Sequence, residues 1–260
     1  MLECVVNVSE GQKAEVIEAI ASAAGADLLD VHSDPDHHRS VLTVIGEDAP
    51  RKVTRAAVSA IDLRRHHGAH PRIGAVDVVP FIPLGDAAMI DAIRARDRFA
   101  AWASETFGLP CFFYGPERSL PDLRRAVRAG SAPDVGPASP HPTAGAIAVG
   151  ARPVLVAYNL WLTEADLDLA QSIAAGLRSP VARTMAFAVG NAVQVSANLI
   201  DPLQFGPADL FDAVAARTAV ARAELVGLMP RAVLERIPSS RWTRLDLAED
   251  RTIESRLGAA

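Results

Sequence analysis

The sequence predicts an α/β protein, α+β in character, with two subdomains that each carry a mixed β-sheet covered by helices. Short apolar runs rich in valine alternate with segments whose apolar residues recur at helical spacing. A proline-rich stretch without periodicity, residues 130–142, interrupts this alternation once, and the alternation then resumes. We therefore expect subdomains at residues 1–153 and 154–260, with the ligand cleft between them.

In the first subdomain, the valine-rich run of residues 2–8 predicts a strand. Val16, Ile17 and Ile20 then fall at helical spacing, which predicts a helix over residues 11–24 with Ser9 near its N-cap. The same reasoning predicts strands at 27–31, 41–45, 75–82 and 111–114, and helices around 53–61, 89–107 and 120–127.

After the proline-rich stretch, apolar runs predict one more strand of the first subdomain at residues 145–149, and strands of the second subdomain at 154–161, 186–189 and 193–199. The last of these alternates between apolar and polar residues, so one of its faces is wet or lines a site. Helices are expected at 164–177 and 207–228, with a further turn at 231–236. The tail from Asp246 onward is charged and small, and its end is expected to be mobile.

Composition excludes several classes of function. The net charge of -5 and a pI of about 5.8 give no basic surface for nucleic acid. No apolar run reaches the roughly 18 residues of a membrane span, and the N-terminus does not have the form of a signal peptide. Cys4 and Cys111 lie in apolar runs and are expected to be buried thiols. We expect a cytoplasmic protein that binds small molecules, with neither nucleic-acid nor membrane partners.

A histidine-rich stretch at residues 65–83 is the strongest candidate for chemistry. Three of the seven histidines lie in its first six residues, ahead of an apolar run. His70 stands between a small residue and Pro71, so the freedom of its backbone is restricted. Histidine suits proton transfer near neutral pH, which makes His70 a candidate acid/base. The alternative is an ordinary solvated or hydrogen-bonded histidine.

The same histidines allow a metal site as a second hypothesis. Nitrogen and oxygen ligands of the kind that zinc or iron takes are close in sequence, at Asp34, Asp36, His37, His38, His66, His67 and His70. Their spacing fits no fixed motif, because Gly68 and Pro71 disfavour the helix that would align His66 with His70.

The turn after the first strand is a candidate for binding an anion. A strand that enters a helix through a small polar turn leaves backbone N–H groups pointing outward, and these can hold a carboxylate. An ordinary turn between strand and helix is the alternative.

Several motifs resemble the formiminotransferase domain family. Residues 5–11, Val-Val-Asn-Val-Ser-Glu-Gly, match the family's Val-Pro-Asn-Phe-Ser-Glu-Gly at five of seven positions. Residues 70–78, His-Pro-Arg-Ile-Gly-Ala-Val-Asp-Val, resemble its His-Pro-Arg-Met-Gly-Ala-Leu-Asp-Val. Further matches follow in order at residues 150–152, 158–159, 194–196, 198–199 and 225–228. The resemblance runs from Glu3 to about Leu234, and the two subdomains would be the family's N-terminal and C-terminal ones, the second shortened.

The resemblance implies transfer of a formimino group from formiminoglutamate to tetrahydrofolate, the acceptor substrate, without a metal. The family's catalytic histidine falls on His70, which would act as general acid/base. A homodimer is expected because closed symmetric dimers are common.

The resemblance also suggests binding residues. Glu10 or Asp77 would face the cationic formimino group, and Arg39 and Arg72 would clamp substrate carboxylates. A solvated position for Glu10 and a structural salt bridge for each arginine are the alternatives. The substrate set is Asn7, Ser9, Glu10, Arg39, Arg72, Gly74 and Asp77, and the folate loop set is Gly136, Pro137, Ala138, Ser139, His141, Thr143 and Gly145.

Three positions depart from the family's pattern. His32 stands where the family has an aspartate near the active site, and Pro140 and Ala144 replace an aromatic pair in the folate loop. Aromatic neighbours favour the binding of flat rings. The alternatives are therefore a related enzyme with a non-folate acceptor or another donor, a non-catalytic small-molecule binder, and a metal-dependent hydrolase.

Overall fold

A computed structural model of the chain describes residues 1–67 and 72–258. The chain divides into two compact units, Met1–Pro153 and Val154–Ala260, and each has its own sheet and hydrophobic core. The predicted fold class is confirmed, because helices cover one sheet of six strands and another of four. The ligand cleft expected between the two subdomains stays a prediction.

The first unit contains six strands and four helices among its described residues. The strands are β1 (Leu2–Val8), β2 (Leu28–Asp34), β3 (Arg39–Ile45), β4 (Val76–Pro83), β5 (Cys111–Tyr114) and β6 (Ile147–Ala151). The helices are α1 (Ala14–Ser22), α2 (Asp48–Ala60), α3 (Met89–Phe107) and α4 (Leu120–Arg128), with single 3-10 turns at Gly25–Asp27 and Leu63–Arg65.

The six strands form a mixed sheet in the order β2-β3-β1-β4-β6-β5. β1 runs antiparallel to both β3 and β4, and β6 runs parallel to β4 and β5. In this register Asn7 on β1 is opposite Val41 on β3 and Val78 on β4. The end of β1 and the starts of β3 and β4 therefore meet at one edge of the sheet.

Both cysteines lie in the core of this unit, as the sequence predicted. Cys4 and Cys111 are fully buried free thiols. Burial raises the pKa of Cys111 to about 12 and raises that of Cys4 well above its ordinary value. Neither thiol is therefore ionised near neutral pH, so neither has the thiolate that nucleophilic chemistry needs.

The second unit contains β7 (Val156–Leu162), β8 (Ala182–Val189), β9 (Ala192–Leu199) and β10 (Val220–Val226). Its helices are α5 (Leu167–Gly176), α6 (Pro207–Ala215), α7 (Arg231–Leu234) and α8 (Ile253–Arg256), with 3-10 turns at Ser239–Arg241, Thr243–Leu245 and Glu249–Arg251. The strand order is β10-β7-β9-β8. All three strand pairs are antiparallel, whereas the sequence had suggested a mixed sheet.

The predicted helix over residues 207–228 is wrong in its second half. The helix α6 ends at Ala215, and residues 220–226 form β10 against β7. Ala223 and Leu225 are buried, while Arg222 and Glu224, which alternate with them along the chain, are less so, and this is the period of a strand. Alanine, arginine, glutamate and leucine favour helices, but pairing with a neighbouring strand overrides that weak preference.

Most of the charged tail from Asp246 onward is packed, and the mobility expected at its end stays a prediction. Leu247 and Ile253 are buried, and Met229 pairs with Thr252 as an isolated parallel bridge. The tail thus packs against the second core although its composition is charged. Among residues 1–67 and 72–258, no helix has the length and apolar character needed to cross a bilayer.

Candidate active site

The turn between β1 and α1 is closed by its own glutamate. Glu10 Oε1 accepts hydrogen bonds from the amides of Gly11, Gln12 and Lys13 at 3.0, 2.9 and 3.0 Å. The helix consequently begins at Ala14 and not at residue 11 as predicted. These amides bind an anion, as the sequence suggested, and the anion is the chain's own carboxylate. A substrate carboxylate would have to displace Glu10 to bind there.

Ser9 ties this turn to the middle of the histidine-rich stretch, just ahead of β4. Its Oγ donates to the Gly74 carbonyl oxygen at 2.8 Å, and its amide donates to the Ala75 carbonyl oxygen at 2.8 Å. Ser9 is therefore not near the N-cap of α1, as had been predicted, because Lys13 occupies that position. Its role in the structure is to join the end of β1 to the approach of β4.

Gly11 and Gly74 lie where backbone segments approach too closely for a side chain. A Cβ at Gly11 would lie 2.5 Å from the Arg39 amide nitrogen. A Cβ at Gly74 would lie 2.9 Å from the Val76 carbonyl oxygen and still closer to that of Ala146. Both positions therefore require glycine because of the close backbone approach.

Asp77, at the start of β4, has a buried carboxylate that two arginines share. Arg39 Nη1 and Arg124 Nη2 lie 2.7 and 2.6 Å from the same oxygen, Oδ2. The other oxygen, Oδ1, accepts from the Ile73 amide at 2.8 Å. Arg39 also donates to Asn7 Oδ1 through Nε at 3.1 Å and Nη2 at 2.7 Å. Three predicted site residues from β1, β3 and β4 thus form one network.

This network determines the ionisation state of Asp77. Its exposed fraction is 0%. Burial alone would raise its pKa, but the guanidinium groups of Arg39 and Arg124 and the Ile73 amide hold the pKa of Asp77 below its ordinary value. An ionised carboxylate bonded on both oxygens and withdrawn from solvent is suited to orienting the two arginines. The geometry thus favours the structural salt bridge for Arg39, and its role as a substrate clamp stays a prediction.

Two histidines stack ring against ring beside Glu10. The ring centroids of His38 and His66 lie 3.9 Å apart, and their planes are tilted by 30°. His38 Nδ1 accepts from the Gly11 amide at 3.1 Å and lies 3.3 Å from Glu10 Oε1. Arg72 Nη1 contacts both ring nitrogens of His66, at 3.0 Å for Nε2. The stack thus joins the turn after β1 to His66 and Arg72 of the histidine-rich stretch.

Both stacked rings are neutral near pH 7. Burial lowers the pKa of His66 to about 4, and the charges of Arg72 and His38 act in the same direction. Burial also lowers the pKa of His38. Glu10 acts to raise this pKa, but the positive charges of Arg72 and Lys13 act with burial, and the net effect is a lowered pKa. A neutral imidazole offers one lone pair on nitrogen, and each ring here presents nitrogen to an N–H donor. The pair therefore acts as a hydrogen-bond acceptor.

The predicted folate loop ends in a tight turn against the approach of β4. His141 and Gly145 exchange backbone hydrogen bonds at 2.8 and 2.9 Å. His141 Nδ1 accepts from the amides of Thr143 and Ala144 at 3.3 and 3.1 Å. Gly145 also pairs with Gly74 as an isolated antiparallel bridge. The side chain of His141 is thus used to hold this turn.

The first half of the loop differs from the second in exposure. Gly136, Pro137, Ala138, Ser139 and Pro140 all face solvent and are available to a ligand. Ala144, in contrast, is 1% exposed and belongs to the hydrophobic core. The side chain that replaces the family's second aromatic residue is therefore packed inside the first unit and does not line a ligand surface.

Two predicted histidines are not part of the network described above. His70, the predicted catalytic residue, lies outside the described residues, as do Gly68, Ala69 and Pro71. His32, at the position of the family's aspartate, is on β2 opposite Val41 and is partly buried.

The metal hypothesis finds no support in residues 1–67 and 72–258. No three histidine, cysteine or acidic side chains of this part of the chain are grouped so as to hold an ion. In two of the candidate ligands, His38 and His66, ring nitrogens instead face the N–H groups of Gly11 and Arg72. Nitrogen that accepts a hydrogen bond is not available to an ion.

Sequence reasoning missed two features of the candidate site. Arg124 gave no signal, because an arginine on an amphipathic helix is usually solvated, and only the fold brings it to Asp77, 47 residues away. The sequence suggests His38 and His66 only as candidate metal ligands. Their stacking joins positions 28 residues apart and could not be inferred from local pattern.

Comparison with known proteins agrees with the resemblance read from the motifs. A family model described as the formiminotransferase domain, N-terminal subdomain, matches residues 1–152. A glutamate formimidoyltransferase of Streptococcus pyogenes serotype M1 is 37% identical over 202 residues, which are 68% of this chain and 68% of that protein.

Two further relatives cover more of the chain. A glutamate formimidoyltransferase of Thermoplasma acidophilum is 33% identical over 273 residues, covering 90% of this chain and 89% of that protein. A formimidoyltransferase-cyclodeaminase of Sus scrofa is 35% identical over 272 residues and 88% of this chain. The match spans only 50% of the length of that second protein.

Proposed function

The chain belongs to the formiminotransferase domain family, and we propose that it transfers a formimino group from formiminoglutamate to tetrahydrofolate. The observation that carries this proposal is the family match over residues 1–152, together with relatives named for formimidoyl transfer that align with most of the chain. The chain is accordingly a one-carbon transferase, and the second unit would be the family's C-terminal subdomain.

The chemistry explains why a histidine is needed. The acceptor amine adds to the amidine carbon of the donor and forms a new C–N bond, which gives a tetrahedral intermediate. The old C–N bond then breaks, and the amino group of glutamate leaves. A proton must leave the attacking nitrogen and another must reach the leaving nitrogen. Histidine with a pKa near neutral can do both, and such catalysis is worth roughly 100- to 10,000-fold in rate.

The described residues support His70 in this role through the frame that follows it in the chain. Arg72, two positions later, contacts His66, and the Ile73 amide donates to Asp77. The Gly74 carbonyl accepts from Ser9, and Gly74 pairs with Gly145. Catalytic groups work best on loops that a rigid scaffold holds in place.

The exposed half of the folate loop favours a second candidate for the acceptor. Pro140 faces solvent and Ala144 lies in the core, so neither supplies an aromatic face to a pterin ring. A related transferase with a non-folate acceptor is therefore the second candidate. The homodimer and the cytoplasmic location stay predictions.

Calorimetric titration of the purified protein with tetrahydrofolate tests the acceptor. We expect micromolar binding that weakens when Ser139 in the exposed half of the loop is changed to a bulky residue. A matched change at Ser59, an exposed position at the end of α2, is the control. No binding at millimolar folate would exclude tetrahydrofolate and favour another amine acceptor.

A second pair of variants separates acid/base transfer from the metal-dependent hydrolase. His67 is exposed and stands three positions before His70. The proposal expects loss of turnover in His70→Ala and full turnover in His67→Ala. A metal site built from this stretch predicts loss of turnover in both variants and on chelation.

A further inference from the structure

The six-stranded sheet has a second face, opposite the hydrophobic core that it shares with α1, α2 and α3. Residues that stand in register on neighbouring strands point to the same side of a sheet. Val78 and Ala148 form one such pair, and they belong to a separate cluster with Leu123 of α4. Asn7 pairs with Val78, so the contact between Asn7 and Arg39 lies on this second face as well.

Tyr114 extends the second face at the edge strand β5. It stands opposite Gly150 of β6, and its ring packs directly against the backbone of that glycine. A Cβ at Gly150 would lie 2.2 Å from the ζ carbon of the ring, so any larger residue there would displace the ring. Burial raises the pKa of Tyr114 to about 12, although the charge of Arg152 and a hydrogen bond with it act to lower the pKa. The hydroxyl therefore keeps its proton and is a hydrogen-bond donor.

Arg152 places a guanidinium on the same face, because it follows Gly150 by two positions. Its amide donates to the Phe81 carbonyl oxygen at 3.1 Å, which continues the pairing of β6 with β4 past the end of the strand. Its Nη1 donates to the Pro153 carbonyl oxygen at 2.9 Å, and a guanidinium has five N–H donors in all. Among residues 1–67 and 72–258, no carboxylate forms an ion pair with Arg152. This partly exposed cation is therefore suited to an anion from solution.

The surroundings of Tyr114 are rich in guanidinium groups. The charge of Arg124 acts on the pKa of Tyr114, and Tyr114 in turn acts on that of Arg39. Arg39 and Arg124 are bonded to the Asp77 carboxylate, so this part of the face already holds one carboxylate between arginines. A guanidinium binds a carboxylate through two parallel hydrogen bonds, and a phenol hydroxyl can add a third. The chemistry of the site thus favours a ligand with a carboxylate.

We propose that Arg152 and the Tyr114 hydroxyl bind a carboxylate of a glutamate group, carried by formiminoglutamate or by tetrahydrofolate. This inference rests on the proposed function and adds a binding site for the part that donor and acceptor have in common. Neither residue belongs to the substrate set or the folate loop set that the sequence suggests. Arg152 supplies the charge, and Gly150 supplies the space that holds the Tyr114 ring. Because the site binds a carboxylate and not the reacting carbon, its loss falls on KM and not on kcat.

Calorimetric titration of the full-length protein with each substrate separately tests the proposal. Arg152→Gln removes the charge at similar length, and the Kd of the bound substrate should rise about 10- to 100-fold, as for a lost hydrogen bond to a charged group. Tyr114→Phe removes only the hydroxyl and should raise the same Kd about 3- to 10-fold. The matched control is Arg94→Gln on α3, where an exposed arginine lies 4.0 Å from Asp91, and both Kd values should stay as in wild type.

The two titrations also identify the source of the carboxylate. A higher Kd for formiminoglutamate assigns the site to the donor, and a higher Kd for tetrahydrofolate assigns it to the acceptor. In either case kcat at saturating substrate should stay within about threefold of wild type. If Arg152→Gln does not fold, Tyr114→Phe decides the question, because it keeps the ring against Gly150.

Failure of this site and failure of the proposed function give different results. Unchanged Kd values for both substrates in folded Arg152→Gln, or in Tyr114→Phe where it alone folds, overturn the site and leave the proposed function standing. A wild type that binds the substrates through Arg152 but transfers nothing overturns the proposed function and leaves the site standing. A wild type that binds neither substrate overturns both.

Discussion

Arg39 Nη1 lies 2.7 Å from Oδ2 of Asp77, and that carboxylate has no exposed surface. The pair joins the first residue of β3 to the second residue of β4, across 38 positions of the chain. Arg124 adds a second cation to the same oxygen from α4. A buried ion pair is costly to break, because the partner that remains keeps a desolvated charge. We therefore regard Asp77 as the electrostatic anchor of this edge of the sheet.

Replacing Asp77 by alanine should destabilise the protein strongly. Arg39 and Arg124 would lose the carboxylate that they share, and such losses cost about 3–5 kcal/mol. The measurement is the free energy of unfolding in urea. Asp77→Asn keeps one acceptor oxygen, so its free energy of unfolding should fall by less than that of Asp77→Ala.

The matched control is Asp212→Ala, which removes an exposed pair with Arg241 on the second unit. Exposed pairs contribute at most about 1 kcal/mol, so its unfolding curve should nearly coincide with that of wild type. Equal losses in Asp77→Ala and Asp212→Ala would refute the anchoring role.

Gly11→Ala should also destabilise the fold, through sterics alone. The new Cβ would meet the Arg39 backbone, which cannot move without shifting β3, and overpacking of this kind costs about 1–3 kcal/mol. Gly176→Ala at the end of α5 is the control, since its Cβ would meet only the end of the Arg217 side chain at 3.4 Å. There we expect no loss, or a gain of up to about 1 kcal/mol. If Gly11→Ala left the free energy of unfolding unchanged, the turn after β1 would be less tightly packed than described.

The stability of the protein should fall as the pH is lowered from about 6.5 to about 4. The pKa of His66 is about 4 in the folded protein and ordinary, near 6.5, in the unfolded chain. Between these values the unfolded chain binds a proton that the folded protein does not. Stability therefore falls with decreasing pH, by up to about 1.4 kcal/mol per pH unit for one proton.

The comparison that isolates this effect is the melting temperature of wild type and of His66→Gln across the same range. Glutamine does not titrate, so the variant should show a shallower dependence, while the lowered pKa of His38 still contributes in both proteins. Parallel curves for the two proteins would contradict a titration of His66 in this window.

Much of the fold follows from local pattern. The helix at 89–107 and the strand at 111–114 have the predicted bounds, because a long amphipathic run ends at Gly108, which adopts a left-handed C-cap. Local pattern fails to predict the structure where tertiary contacts determine it. β10 is a strand because β7 pairs with it, and the charged tail packs on the second unit because Leu247 belongs to its core and Ile253 is buried.

The sequence proposes the residues of the candidate site one by one, and not the network that they form. The motifs and charges propose Asn7, Arg39 and Asp77, and the sheet register brings these three side chains together. They could not show that Glu10 binds the amides beside it, since the same residues fit an anion site open to substrate. Nor could they find Arg124, whose approach to Asp77 depends on the placement of a whole helix.

The central claim is that this chain catalyses formimino transfer with His70 as acid/base, and the most direct measurement is steady-state turnover of formiminoglutamate with tetrahydrofolate. Wild type and His70→Ala would be compared at equal concentration, with unfolding curves to establish that both are folded. We expect transfer by wild type and a rate about 100- to 10,000-fold lower for His70→Ala. A wild-type protein that transfers nothing to tetrahydrofolate, or a folded His70→Ala that turns over at the wild-type rate, would contradict the claim.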